Sequence, residues 1–188
     1  PNVMPTSLSI EPTTSCNLRC PECPSGLRSF TRPIGMLNVD HACRWIDELA
    51  PWLTYVNLYF QGEPLLHPKL DQLIAQCHRH GIYSSTSTNA HHLTEAKCQA
   101  LIDAGLSRLI VSIDGLTQET YASYRVGGTL TKVMEGTRNM VEAKRQKSRG
   151  PHLVWQFLVV GPNERELPDL LEAASECGVD EVEIKTAQ

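Results

Sequence analysis

Along this chain, short runs rich in β-branched and aromatic residues alternate with stretches whose apolar residues recur at helical spacing. The β-rich runs fall at 7–11, 54–60, 82–88, 108–113, 153–160 and 181–185. Between them, Val39, Cys43, Ile46 and Ala50 share one face of a helix over 40–50. Leu66, Leu70, Leu73, Ile74 and Cys77 form the next stripe. Thr94 can cap a helix through Ala104 that Gly105 closes. Val133, Met134, Thr137 and Val141 mark a helix over 130–144; Leu167, Leu170, Leu171, Ala174 and Cys177 mark a last one, ended by Gly178. Strands separated by helices run parallel and are joined by right-handed crossovers. The fold class is therefore α/β, with a parallel sheet or barrel. Such folds gather their chemistry at the carboxyl ends of the strands. Residues 144–150, Lys-Arg-Gln-Lys-Ser-Arg-Gly, read as a charged, solvated turn.

The bulk properties narrow the function. A chain of 188 residues with 41% hydrophobic content suits one domain with a real core. A net charge of −4 gives no basic surplus for a nucleic-acid backbone or an acidic membrane. No apolar run reaches bilayer length and no charged-then-apolar leader opens the sequence, so a cytoplasmic protein is expected. The seven cysteines are odd in number and three crowd into eight residues, which fits a reducing compartment better than a disulfide scaffold. The sequence starts without Met and stops at Gln188 just after an apparent strand. We read residues 1–188 as a piece of a longer protein.

The three crowded cysteines follow the first strand as Cys16-Asn-Leu-Arg-Cys20-Pro-Glu-Cys23. Thiolates on so compact a loop can hold three irons of a cubane. Iron–sulfur clusters are usually held by four cysteines, and the next one here, Cys43, lies on a helix's apolar stripe. A cluster held by three leaves one iron open to a chelating substrate. Pro12, Pro21 and Pro24 stiffen the loop, and Arg19 adds positive charge beside an anionic cluster. The other reading is a structural zinc site completed by His41 or Cys43. Zinc sites usually pair their cysteines with a distant second pair, and no second pair exists. Cys43, Cys77, Cys98 and Cys177 sit on helix stripes and read as core.

Other chemistry-bearing residues stand just after later strands. Gly62 permits close backbone approach, and Glu63, if buried, needs a cationic or N–H partner; an ordinary turn with a surface Glu is the plain alternative. Asn89 ends a hydroxyl-rich strand whose threonines β-propensity alone explains. Ser112 and Asp114 share one face of the fourth strand, although Asp114 could simply cap a helix over 117–124. Arg125 suits bidentate pairing with a carboxylate or is a surface Arg.

Cys-x3-Cys-x2-Cys after a first strand is similar to the signature of the radical S-adenosylmethionine superfamily. The stretch Glu11-Pro-Thr-Thr-Ser-Cys-Asn-Leu-Arg-Cys-Pro-Glu-Cys-Pro24 resembles the branch that carries a C-terminal cysteine-rich SPASM domain, which implies that residues 1–188 are the core domain, ending before its last helix and before that cysteine-rich domain. The resemblance implies a partial (β/α)6 barrel, an incomplete TIM-like barrel. It implies a [4Fe–4S] cluster on Cys16, Cys20 and Cys23, and S-adenosylmethionine cleaved reductively to a 5′-deoxyadenosyl radical that takes hydrogen from a substrate. Gly62 and Glu63 resemble the Gly-Gly-Glu motif that holds the methionine amino group, with Gln61 in place of the first Gly. Asn89 resembles the Asn of Thr-Asn-Gly, Ser112 and Asp114 resemble Ser-x-Asp-Gly, and Arg125 resembles a carboxylate-binding Arg. Glu22 stands where an aromatic residue often lies near the adenine. Val159, Val160, Lys185 and Gln188 are expected near cofactor or substrate. A peptide or protein is the expected substrate, and a flavodoxin or ferredoxin the electron donor. The alternatives are a small-molecule dehydrogenase, a cofactor-biosynthesis enzyme, or a non-catalytic iron–sulfur or zinc module.

Overall fold

The alternation in sequence becomes strand and helix in turn throughout the computed structural model, which describes residues 4–186. The strands are β1 (Ser7–Ser9), β2 (Tyr55–Asn57), β3 (Tyr83–Thr88), β4 (Arg108–Ser112), β5 (His152–Val159) and β6 (Glu181–Thr186). They form one six-stranded sheet in strict chain order. Every pairing is parallel. Among the described residues β1 and β6 do not meet, so the sheet is an unclosed, partial barrel. The helices are α1 (Pro24–Leu27), α2 (Val39–Leu49), α3 (Leu70–Arg79), α4 (Glu95–Asp103), α5 (Gln118–Tyr124), α6 (Leu130–Lys147) and α7 (Leu167–Cys177).

Period-two alternation sorts the strand side chains between two faces. Leu109, Val111 and Ile113, with Leu153, Trp155 and Phe157, enter the core shared with the helices. Ser112 and Gln156 face a cavity on the other side. The Trp155 indole N–H, buried in that core, donates to Thr137 Oγ1 of α6 at 3.2 Å. Polar caps mark the helix starts: Asn38 accepts from His41 N, Thr94 from Lys97 N, and Thr117 forms a reciprocal box with Thr120. Gly178, at φ +81°, ends α7 in a conformation only glycine adopts without strain.

Three local expectations change. β1 and β2 are shorter than their apolar runs, because the chain leaves the ladder after Ser9 and Asn57 to build loops. Leu66 belongs to a separate 3₁₀ turn, Pro64–Leu66, and Pro68 stands between it and α3. The segment 144–150 is mostly helix rather than turn. Lys, Arg and Gln are good helix formers, three basic side chains sit in the favourable last turn of α6, and Lys144 and Lys147 reach Asp180 and Asp103. Of the four scattered cysteines, Cys77, Cys98 and Cys177 are buried, and Cys43 is half-buried near Asp40, Asp47 and Arg79. Among the described residues no helix is long and apolar enough to cross a membrane.

Candidate functional site

The carboxyl ends of β1–β4 open into one cavity of about 320 Å³. Its lining takes Cys16, Cys20 and Cys23 from the loop after β1, residues 61–63 from after β2, Asn89 from after β3, Ser112 from the end of β4 and Arg125 from the end of α5. The cysteines, Gly62, Glu63, Asn89, Ser112 and Arg125 thus meet here, and Asp114 does not line the cavity. That carboxylate is fully buried and touches the cavity only through Arg125.

Glycines and backbone contacts hold the cysteine loop. A Cβ on Gly26 would lie 2.3 Å from the Cys20 carbonyl oxygen, so α1 packs directly on the loop's backbone. A Cβ on Gly62 would lie 1.9 Å from the Thr13 carbonyl oxygen, which fuses the loops after β1 and β2. Glu63 N donates to Ser15 O at 2.8 Å, and Arg19 N donates to Val126 O at 2.9 Å. Glu11 Oε1 accepts from Gln61 N at 3.1 Å and Gly62 N at 3.3 Å, while Oε2 meets Arg32 at 2.6 Å.

The three thiols have unequal surroundings. Leu18 N donates to Cys16 Sγ at 3.5 Å, and Asn89 Nδ2 stands 3.9 Å from the same sulfur. Arg125 Nη1 lies 3.9 Å from Cys20 Sγ. The Cys23 thiol points to the Gln61 carbonyl at 3.8 Å. Burial pushes the Cys16 and Cys20 thiols up, and the Arg125 guanidinium pulls Cys20 the other way.

Glu63 is buried and its carboxylate is occupied. Oε1 accepts from Thr88 Oγ1 at 2.7 Å and Leu65 N at 3.0 Å, and Oε2 accepts from Asn89 N at 2.7 Å. Burial pushes its carboxyl up against the pull of these donors. Asp114 does not cap α5, since Thr117 does. It accepts from Leu158 N at 2.8 Å and pairs with Arg125 Nε at 2.5 Å. Asn163, fully buried, donates to the Asp114 and Leu158 carbonyls and so ties the ends of β4 and β5.

A wider cavity of about 950 Å³ adjoins, sharing Glu22 and Tyr124 with the first; Leu158, Val160, Ile184 and Lys185 also line it. Val159 packs against the core instead. Lys185 lies 3.8 Å from Glu183. Gln188 lies outside the described residues. Sequence reasoning gave no role to Glu11, Gly26, Asn163 or Tyr124. Glu11 and Asn163 were within reach of the rule it used, a polar residue just past a strand. Gly26 and Tyr124 carry no such signal.

The residues suit an iron–sulfur cluster better than a single ion. Among the described residues no three His, Cys, Asp or Glu side chains converge on one point, as ligands about 2.3 Å from a zinc must. Three thiols set apart around one cavity fit a cubane in which each takes a different iron. Among the described residues no fourth cysteine lines the cavity, so one iron of such a cluster would lack a thiolate ligand from this chain.

Comparison with known proteins agrees with this chemistry. Residues 10–182 match the family described as the Radical SAM superfamily. The chain is 30% identical over 189 residues to a PqqA peptide cyclase of Gluconobacter oxydans, covering 98% of this chain and 50% of that protein. It is 32% identical over 178 residues to a GTP 3′,8-cyclase of Hydrogenovibrio crunogenus, covering 92% of this chain and 52% of that one. The chain thus spans about half the length of these curated relatives. Streptococcus suis SuiB, solved bound to S-adenosylmethionine and bound to precursor peptide SuiA, shares the fold with a TM-score of 0.81 at 16% identity. Those alignments cover 98% of this chain and 41% and 40% of SuiB. With a three-cysteine loop at the mouth of an open parallel barrel and a family match along nearly its whole length, the chain belongs to the Radical SAM superfamily, whose cofactors are a [4Fe–4S] cluster and S-adenosylmethionine.

Proposed function

We propose that Cys16, Cys20 and Cys23 hold the cluster and that the adjoining cavity holds S-adenosylmethionine, so that this chain is the radical-generating core of an enzyme that takes hydrogen from a peptide or protein. The observation that carries the reading is the shared cavity: three thiols and the backbone of residues 61–63 open onto one space. When bound, the two cofactors together supply a 5′-deoxyadenosyl radical, and the radical chemistry is theirs. The chain's own part is to bind, orient and exclude water. Residues 61–63 present backbone groups fixed by Glu11 and by the close approach of Gly62 to Thr13. Glu63 supports that loop from beneath through Leu65, Thr88 and Asn89. Ser112 and Arg125 offer a hydroxyl and a cation to the ribose and carboxylate of the cofactor.

A peptide substrate is favoured by the likeness to a PqqA peptide cyclase and to SuiB, which was solved bound to precursor peptide SuiA. The GTP 3′,8-cyclase relative keeps a small-molecule substrate as the second reading. A SPASM domain outside residues 1–188 and a low-potential flavodoxin or ferredoxin complete the proposal.

The test is anaerobic reconstitution. The parent should turn brown and bind about four irons per chain, and Cys16→Ala, Cys20→Ala and Cys23→Ala should each lose most of that iron. Full iron in all three variants would remove the assignment.

A further inference from the structure

Two side chains in the site are aimed at thiols, and they come from different elements. Arg125, at the end of α5, sends Nη1 to within 3.9 Å of Cys20 Sγ. Asn89, past the end of β3, places Nδ2 3.9 Å from Cys16 Sγ. Cys23 receives no such donor and instead faces the Gln61 carbonyl. Neither donor is free to swing. Asp114, fully buried, grips Arg125 through Nε and is itself held by Leu158 N. Asn89 Oδ1 accepts from His91 N at 3.1 Å, and its amide also donates to Asn17 Oδ1 at 2.9 Å. The Asp114 grip occupies Nε and leaves Nη1 turned toward the sulfur.

We propose that Arg125 and Asn89 set the reduction potential of the cluster by donating to the Cys20 and Cys16 thiolates, with Asp114 as the residue that positions Arg125. The proposal rests on the cluster assignment above but assigns these side chains a role that precedes any contact with S-adenosylmethionine. Hydrogen bonds to cluster sulfurs and nearby charge are among the factors that fix iron–sulfur potentials. Reduction adds one electron, taken from an external one-electron donor, and so one negative charge to the cluster. A cation and an amide dipole facing the sulfurs favour the more negative state. Charge-assisted donation is the stronger of the two, so Arg125 carries the larger share. The Asp114 charge offsets part of this effect, but it meets Nε, whereas Nη1 is the nitrogen that faces the sulfur.

The experiment is a dye-mediated anaerobic redox titration of the reconstituted chain without S-adenosylmethionine, followed by electron paramagnetic resonance. Arg125→Gln should move the midpoint to a more negative potential, and Asn89→Ala should move it the same way by less. Arg125→Lys, which keeps the charge and loses the fork, should fall between parent and Arg125→Gln. Asp114→Asn should alter the midpoint although it touches no thiol. Arg145→Gln removes an equal charge from an exposed helix site and should leave the midpoint in place. If Arg125→Gln fails to hold iron, Arg125→Lys and Asn89→Ala decide the matter. Unmoved midpoints in iron-replete Arg125 and Asn89 variants overturn the proposal. If the Arg125 variants merely lose S-adenosylmethionine affinity, Arg125 acts on that cofactor alone and the cluster assignment stands. A parent chain that takes up no iron overturns that assignment itself.

Discussion

At the scale of single residues, the site depends on polar groups with one correct identity. Glu63 accepts from three donors, Leu65 N, Thr88 Oγ1 and Asn89 N. Glutamine at that position turns an amide N–H₂ toward donors, leaving at least one buried group without a partner. Glu63→Gln should cost about 1–3 kcal/mol of stability, read as a lower urea midpoint with an unchanged slope; an unchanged midpoint would show that these donors find other acceptors. The sequence pointed to Glu63 through its place after a strand, and to its need for N–H partners through burial. The partners themselves were not legible. Thr88 and Asn89 lie 25 and 26 residues away, and only the β2–β3 pairing brings them there. The role of Asp114 was equally hidden. A carboxylate before a glycine reads as a helix cap, while its actual partners Arg125 and Leu158 lie 11 and 44 residues further along.

At the scale of elements, the cavity exists because loops meet without side chains between them. Gly62 is the tightest such contact, and the atom it would strike is backbone rather than a movable side chain. Gly62→Ala should push residues 61–63 away from Thr13 and weaken S-adenosylmethionine binding about tenfold or more, roughly 1.4 kcal/mol or above. Gly35→Ala, where an added Cβ meets nothing within 4 Å, serves as the control. Equal affinity in the Gly62 variant and the parent, measured by calorimetry on reconstituted protein, would mean that the loop yields cheaply. Element identity was readable from apolar period because each strand and helix buries one face. Element ends were less so. The last turn of α6 carries ion pairs to Asp103 of α4 and to Asp180 in the turn before β6, and α1 follows a proline after Cys23, its turn packing through Gly26 onto Cys20.

At the scale of the whole molecule, cofactors that bind only the folded chain should stabilise it by mass action. Reconstituted protein should unfold at a higher temperature than protein without iron. S-adenosylmethionine at a hundredfold excess over its Kd should add about 2.7 kcal/mol. Coincident unfolding of all three forms, followed anaerobically by circular dichroism, would place both ligands outside the folded core. The fold class was legible because the order of strands in the sheet follows the order in the chain. That same order bears on how the molecule comes into being. Each strand pairs with the one made just before it. Each pairing still closes a long crossover, since Ser7 of β1 pairs with Tyr55 of β2 and Arg108 of β4 with His152 of β5, and such non-local parallel pairing forms slowly. The thiols, residues 61–63, Asn89, Ser112 and Arg125 all precede β5. They are made before Leu158 and Asn163, whose contacts hold Asp114 and, through it, Arg125.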